Sequence, residues 1–227
     1  GANAVTGNIA NVGAAVTFGA GAYCVGVNAW CTQAGSVISL NLPSQLGGMK
    51  LPVGVYTSVP AVGLTGVLTL DGSNGGNNPV WTFNIGGAFN TAAGSSVVFE
   101  NVVGTGSVTW NTVGAVTLGA TSAMIGDLTS TGGAITFGAG AEAVGNLDAF
   151  AAITLGAAAE VVGDLTAGAA INLGAGAVAE VLDAGAAITF GANAVTGKIA
   201  NVGAAVTFGA GAYCVGVNAR CTQAGSV

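Results

Sequence analysis

One short pattern of apolar and polar positions recurs through the second half of the chain: apolar, Thr, apolar, Gly. It reads Val116-Thr117-Leu118-Gly119, Ile135-Thr136-Phe137-Gly138, Ile153-Thr154-Leu155-Gly156, Ile171-Asn172-Leu173-Gly174, Ile188-Thr189-Phe190-Gly191 and Val206-Thr207-Phe208-Gly209. The copies begin at Val116, Ile135, Ile153, Ile171, Ile188 and Val206, a nearly constant period of about 18. A unit this short has no room for a helix pair, and its Val/Ile/Thr/Phe bias suits strands. About 18 residues divide into three sides of about six, which predicts an all-β fold, a parallel three-sided β-solenoid.

Strand alternation then sorts the side chains. Ile135, Phe137, Ile153, Leu155, Ile171 and Leu173 are expected inside, stacked along the axis. The Thr column is expected outside, with the small residues two positions away. The candidate flat face is therefore Ala115, Thr117, Ala134, Thr136, Ala152, Thr154, Ala170, Asn172, Ala187, Thr189, Ala205 and Thr207, with the phrase glycines at its margin. Ile38-Ser39-Leu40 reads as a weaker copy of the phrase, and Pro43 with Gly47-Gly48 marks a turn after it.

Composition narrows the function. Charged residues make up 5% of the chain and hydrophobic ones 52%, against about 25% charged in an ordinary soluble domain. With three Lys and Arg and a net charge of −6, nucleic acid is not an expected partner. No apolar run long enough for a membrane span escapes interruption by Gly. Asp127, Asn146 and Asp164 follow glycines and predict a solvated polar column at one corner, too sparse in oxygen ligands for a calcium roll. Glu142, Glu160 and Glu180 read as a second exposed series. Trp81 and Trp110 read as core. No nucleophile–base set, paired catalytic carboxylates or phosphate-cradling loop stands out, so no catalytic, metal or cofactor site is expected.

Residues 1–37 recur at 191–227, an offset of 190, with only Asn8/Lys198 and Trp30/Arg220 differing. Three segments follow: coils over 1–37 ending in a cysteine-clipped loop, an irregular stretch over 38–115, and regular coils over 116–227 that run into a second unit of the same length. Neither end offers a polar capping repeat, and the chain opens without Met or a leader, so it reads as a window on a tandem array. The cysteines form two close pairs, Cys24 with Cys31 and Cys214 with Cys221. A local disulfide in each pair, favoured over unpaired thiols, places the chain outside the cytoplasm.

Between 51 and 130 the chain resembles a known family. Leu51-Pro52-Val53-Gly54-Val55-Tyr56, Leu68-Thr69-Leu70-Asp71, Val80-Trp81-Thr82-Phe83, Thr91-Ala92-Ala93-Gly94 and Val108-Thr109-Trp110 appear in order before the first Thr phrase. This series resembles the secreted ice-binding protein family of polar bacteria, fungi and algae. The resemblance implies an irregular triangular β-solenoid and a capacity to bind ice. The chain departs from the family in leaving no room for a long helix before the Pro-x-Gly-x-Tyr segment, and in adding about five regular coils.

The resulting expectation is a non-enzymatic extracellular solenoid. It would serve as the repeat unit of a structural filament or tandem array, with itself as partner end to end or side by side. Ice binding by the Ala/Thr face is the alternative that the resemblance implies, and an adhesin stalk is a second one.

Overall fold

The computed structural model describes residues 39–215, and before them the two short strands Val5–Thr6 and Tyr23–Cys24. Every regular element among the described residues is a strand. Each pairs in parallel with the strand one coil away, and the result is a parallel β-solenoid.

The strands fall into three stacks. Face A holds Lys50–Pro52, Val67–Asp71, Ser96–Glu100, Ala123–Ile125, Glu142–Val144 and Glu160–Val162. Face B holds Ser39–Asn41, Gly54–Ser58, Val80–Ile85, Ser107–Thr112, Asp127–Ser130, Leu147–Ala149 and Asp164–Ala167. Face C holds Val62–Leu64, Phe89–Thr91, Val116–Leu118, Ile135–Phe137, Ile153–Leu155, Ile171–Leu173, Ile188–Phe190 and Val206–Phe208. Val178–Ala184 and Val195–Val202 each run from face A onto face B as one strand. Tyr23–Cys24 and Tyr213–Cys214 occupy matching places in the two copies of the duplicated segment.

Coil length and core volume change together. On face C the central position recurs at Gly63, Asn90 and Thr117, and thereafter at the shorter spacing of the Thr phrase. The long coils enclose rings: Tyr56 stacks on Phe83 at 5.2 Å, Phe83 on Trp110 at 4.0 Å, and Phe89 on Trp110 at 4.9 Å. Both Trp81 and Trp110 are fully buried, and their indole N–H groups donate to the carbonyls of Leu51 and Ile125. In the shorter coils the same inward column of face B narrows to Leu128, Leu147, Leu165 and Leu182, opposite Ile135, Ile153, Ile171 and Ile188 on face C. Each buried aliphatic side chain of this kind contributes about 1.5–3 kcal/mol.

Corners are set by backbone proximity. A Cβ on Gly156 would lie 2.6 Å from the Gly138 carbonyl carbon, and one on Gly174 would lie 2.6 Å from that of Gly156. The phrase glycines thus serve close stacking of one coil on the next, where a side chain would meet the preceding coil's backbone. At the corner between faces A and B, residues 161–163 of one coil oppose only 179–180 of the next. That missing residue accounts for the short step from Ile171 to Ile188 and for the uninterrupted strand Val178–Ala184. It also corrects the glutamate series: Glu142 and Glu160 are register partners, but Val178, not Glu180, stands opposite Glu160. Ser39–Asn41 likewise pairs with Gly54–Ser58 on face B, so Ile38-Ser39-Leu40 is not a copy of the face C phrase.

Candidate functional site

Face C carries the twelve candidate positions in one lattice. Thr117, Thr136, Thr154, Asn172, Thr189 and Thr207 are consecutive register partners, with Asn90 and Gly63 continuing the column on the other side. Inward neighbours such as Ile153 and Leu155 are buried, which forces the intervening residue outward. Thr117, Thr136, Thr189 and Thr207 are exposed, and Thr154 and Asn172 half-buried. Ala134, Ala152, Ala170 and Ala187 are half-buried, and Ala115 and Ala205 exposed. In the order just given, their carbonyls accept from the amides of Val116, Ile135, Ile153, Ile171, Phe89 and Ile188 in the neighbouring coils.

At about 4.8 Å per rung, the five steps from Thr117 to Thr207 cover about 24 Å. Over that length the face presents two ranks, one of methyl groups from Ala and one of hydroxyls and methyls from Thr. No titratable side chain stands on it.

The other faces are different in kind. Face B bears an outward column missed in the sequence: Thr57, Asn84, Asn111, Thr129, Asp148, Thr166 and Asp183, in unbroken register. Asn111 donates to Asn84 at 2.9 Å, so part of this column is bonded to itself. The neighbouring corner column is bonded as well. Asp127 accepts from the Asn146 amide at 2.8 Å, and Asn146 from the Asp164 amide at 2.9 Å. The residues expected as a solvated corner therefore rivet successive coils.

Face A mixes exposed Val98, Val144 and Val162 with the stacked Glu142 and Glu160. At its wide end Lys50 bridges Asp71 at 3.1 Å and Glu100 at 2.8 Å. Burial works to raise the Asp71 pKa, but hydrogen bonds from Ser73, Asn101 and Lys50 outweigh it and hold the carboxyl well below the usual range. Burial pushes the Tyr56 hydroxyl up; it donates to the Pro52 carbonyl.

Among the described residues no group of three His, Cys, Asp or Glu is placed to hold a metal, and no helix is long and apolar enough to cross a membrane. Cys214 is disulfide-bonded. The local clips expected from the sequence do not appear among the described contacts, because Cys31 and Cys221 both lie outside the described residues. The pairing of Cys24 with Cys31, and that of Cys214 with Cys221, therefore stay expectations.

A parallel β-solenoid with one small-residue, uncharged face is the class these observations define. The ice-binding-like family model matches residues 1–159, well over half of the chain and more than the 51–130 segment that carried the resemblance. The chain belongs to the ice-binding-like family. It is 45% identical over 56 residues to an ice-binding protein from Nostoc sp. (strain HG1), a stretch covering 25% of this chain and 20% of that relative's length. Among solved structures it aligns with an ice-binding protein from the Antarctic ascomycete Antarctomyces psychrotrophicus at 21% identity, over 94% of each chain, with a TM-score of 0.37.

Proposed function

We propose that the protein binds ice through face C. The observation that carries this reading is the uncharged, in-register rank of Thr and Ala over about 24 Å. A charged group keeps a strongly held hydration shell that does not fit an ice lattice, and both other faces carry carboxylates. On face C the methyl groups leave adjoining water bonded mainly to itself, and the evenly spaced hydroxyls anchor that layer. Family membership supports the same activity. The reading is of a non-enzymatic secreted protein, and the disulfide at Cys214 fits an oxidising compartment.

The experiment compares equal substitutions on two faces. Thr154→Tyr raises a ring from the middle of face C and should abolish thermal hysteresis and ice recrystallisation inhibition. Thr166→Tyr, on face B, should leave both unchanged. Loss with Thr166→Tyr alone would move the site to face B. A folded wild-type chain with neither activity would reject ice binding altogether.

A second reading is favoured by the duplication at an offset of 190: the chain as repeat unit of an extracellular filament or tandem array, or of an adhesin stalk. Electron microscopy of native material tests it, since an array shows long rods of uniform width and a dispersed protein does not.

A further inference from the structure

Face C is a mesh with unequal sides. From Val116–Leu118 to Val206–Phe208 every phrase pairs residue for residue with the next, without a shift. Outward side chains of successive coils therefore stand squarely beside one another. Ladder spacing sets one side of the mesh at about 4.8 Å, and two residues of a parallel strand set the other, from the Ala rank to the Thr rank, at about 6.6 Å. The Ala rank is the longer of the two. The amides of Val62 and Phe89 donate to the carbonyls of Ala88 and Ala115, and Val62 pairs with Phe89, so Ala88 and Ala61 continue it where Asn90 and Gly63 interrupt the Thr column. Ala61 is exposed and Ala88 half-buried. From Ala61 to Ala205 the rank covers about 34 Å. Faces A and B hold no comparable uncharged mesh: both bear carboxylates, and the register slips between Leu182 and Asp183 on the strand that joins them.

We propose that face C selects the primary prism plane of hexagonal ice, with the solenoid axis along an a axis of the crystal and the face C strands along c. The proposal rests on the reading that face C binds ice. The prism plane presents water in a rectangular mesh. Its short side is the a repeat, close to one rung of the solenoid, and its long side is the c repeat, somewhat longer than the step from Ala to Thr. In the basal plane successive rows are staggered by half a repeat, so ranks standing abreast meet only every second row, and at a wider gap. Two ranks abreast therefore match the prism plane in both directions and the basal plane well in only one. The Ala methyls order adjoining water without bonding it, and the Thr hydroxyls fix its position along each rung. Threonine is stiff at its first side-chain torsion, so its methyl and hydroxyl are presented at a constant place in the mesh. Plane choice then needs both ranks, because either one alone defines a row and not a rectangle.

The test grows a single ice crystal of known orientation in a dilute solution of the wild-type chain carrying an amine-linked fluorophore. Lys50 and Lys198 both lie off face C, so the dye leaves the mesh clear. Fluorescence should mark the prism planes, with hexagonal symmetry about c, and leave the basal plane dark. Crystals held within the hysteresis gap should, once it is exceeded, burst along c through the unprotected basal plane. Label on the basal plane, or over the whole crystal, overturns the proposal while ice binding stands. A folded chain that labels no plane and shows no thermal hysteresis removes ice binding and the proposal together. A second variant tests the mesh itself. Ala152→Tyr, in the same strand line as Thr154 but in the other rank, should remove the prism label as fully as Thr154→Tyr, with circular dichroism reporting a folded β-solenoid in both. Prism labelling that survives a folded Ala152→Tyr assigns the contact to the Thr rank alone and overturns the two-rank match.

Discussion

A column of left-handed backbone runs up the corner after face C, and it yields a prediction that isolates backbone energy from packing. Gly94 (φ 70°), Thr121 (55°), Gly140 (64°), Ala158 (55°), Gly176 (69°), Asn193 (58°) and Gly211 (73°) hold equivalent places. Their amides form a continuous ladder, for example Ala158 to the Ala175 carbonyl and Gly176 to the Ala192 carbonyl. A residue with a Cβ costs about 1–2 kcal/mol in this conformation, whereas glycine there gives up about 0.4–1 kcal/mol through its freer unfolded chain. Ala158→Gly should therefore stabilise the fold by about 0.5–1 kcal/mol. The reverse change, Gly176→Ala, should cost a similar amount, and nothing else: no heavy atom lies within 4 Å of the added methyl. For a chain of this size each kcal/mol moves the melting temperature by about 2–4 °C. Thermal unfolding followed by circular dichroism reads both. A lower Tm for Ala158→Gly, or a higher one for Gly176→Ala, would refute the idea that backbone conformation sets the energy at this corner.

Gly156→Ala differs from Gly176→Ala in kind, because its methyl would enter the preceding coil's backbone; a loss of about 3 kcal/mol in urea unfolding is expected. Asp71→Asn should destabilise the wide end by about 1–3 kcal/mol at neutral pH. The Asp71 pKa is lowered from 3.8, so its contribution is complete above that value and is lost as pH falls through the folded one. The gap between wild type and Asp71→Asn should accordingly close below about pH 4.

The face C register was legible because the phrase repeats at nearly constant spacing and its inward partners are branched or aromatic. Face B was not, although its column is just as regular in space. Thr82-Phe83-Asn84 and Thr109-Trp110-Asn111 are separated by one long coil, whereas Thr129 follows Asn111 by a short one, so coils of unequal length hid the period. Two polar residues flanking one large ring, repeated, was the available signal. Glu180 misled for a related reason: its coil lacks a corner residue, and spacing in sequence stopped tracking position on the face. The glycines were legible as necessary, but their role in backbone approach needs the neighbouring coil to be seen.

Every strand of face C is three residues long, from Val62–Leu64 to Val206–Phe208, while strands of face A range from three to five residues and those of face B reach six. The extra residues of the long coils therefore lie on faces A and B and, above all, in the turn between them at 72–79, and the third side is spared. In evolutionary terms the width of that side is held constant and its length is free. Duplicating one coil of about 18 residues adds one rung of about 4.8 Å without re-solving the core, since each new coil finds a copy of itself to pack on. Selection on such a surface can act by counting coils, a coarse and reversible variable that unequal recombination supplies readily.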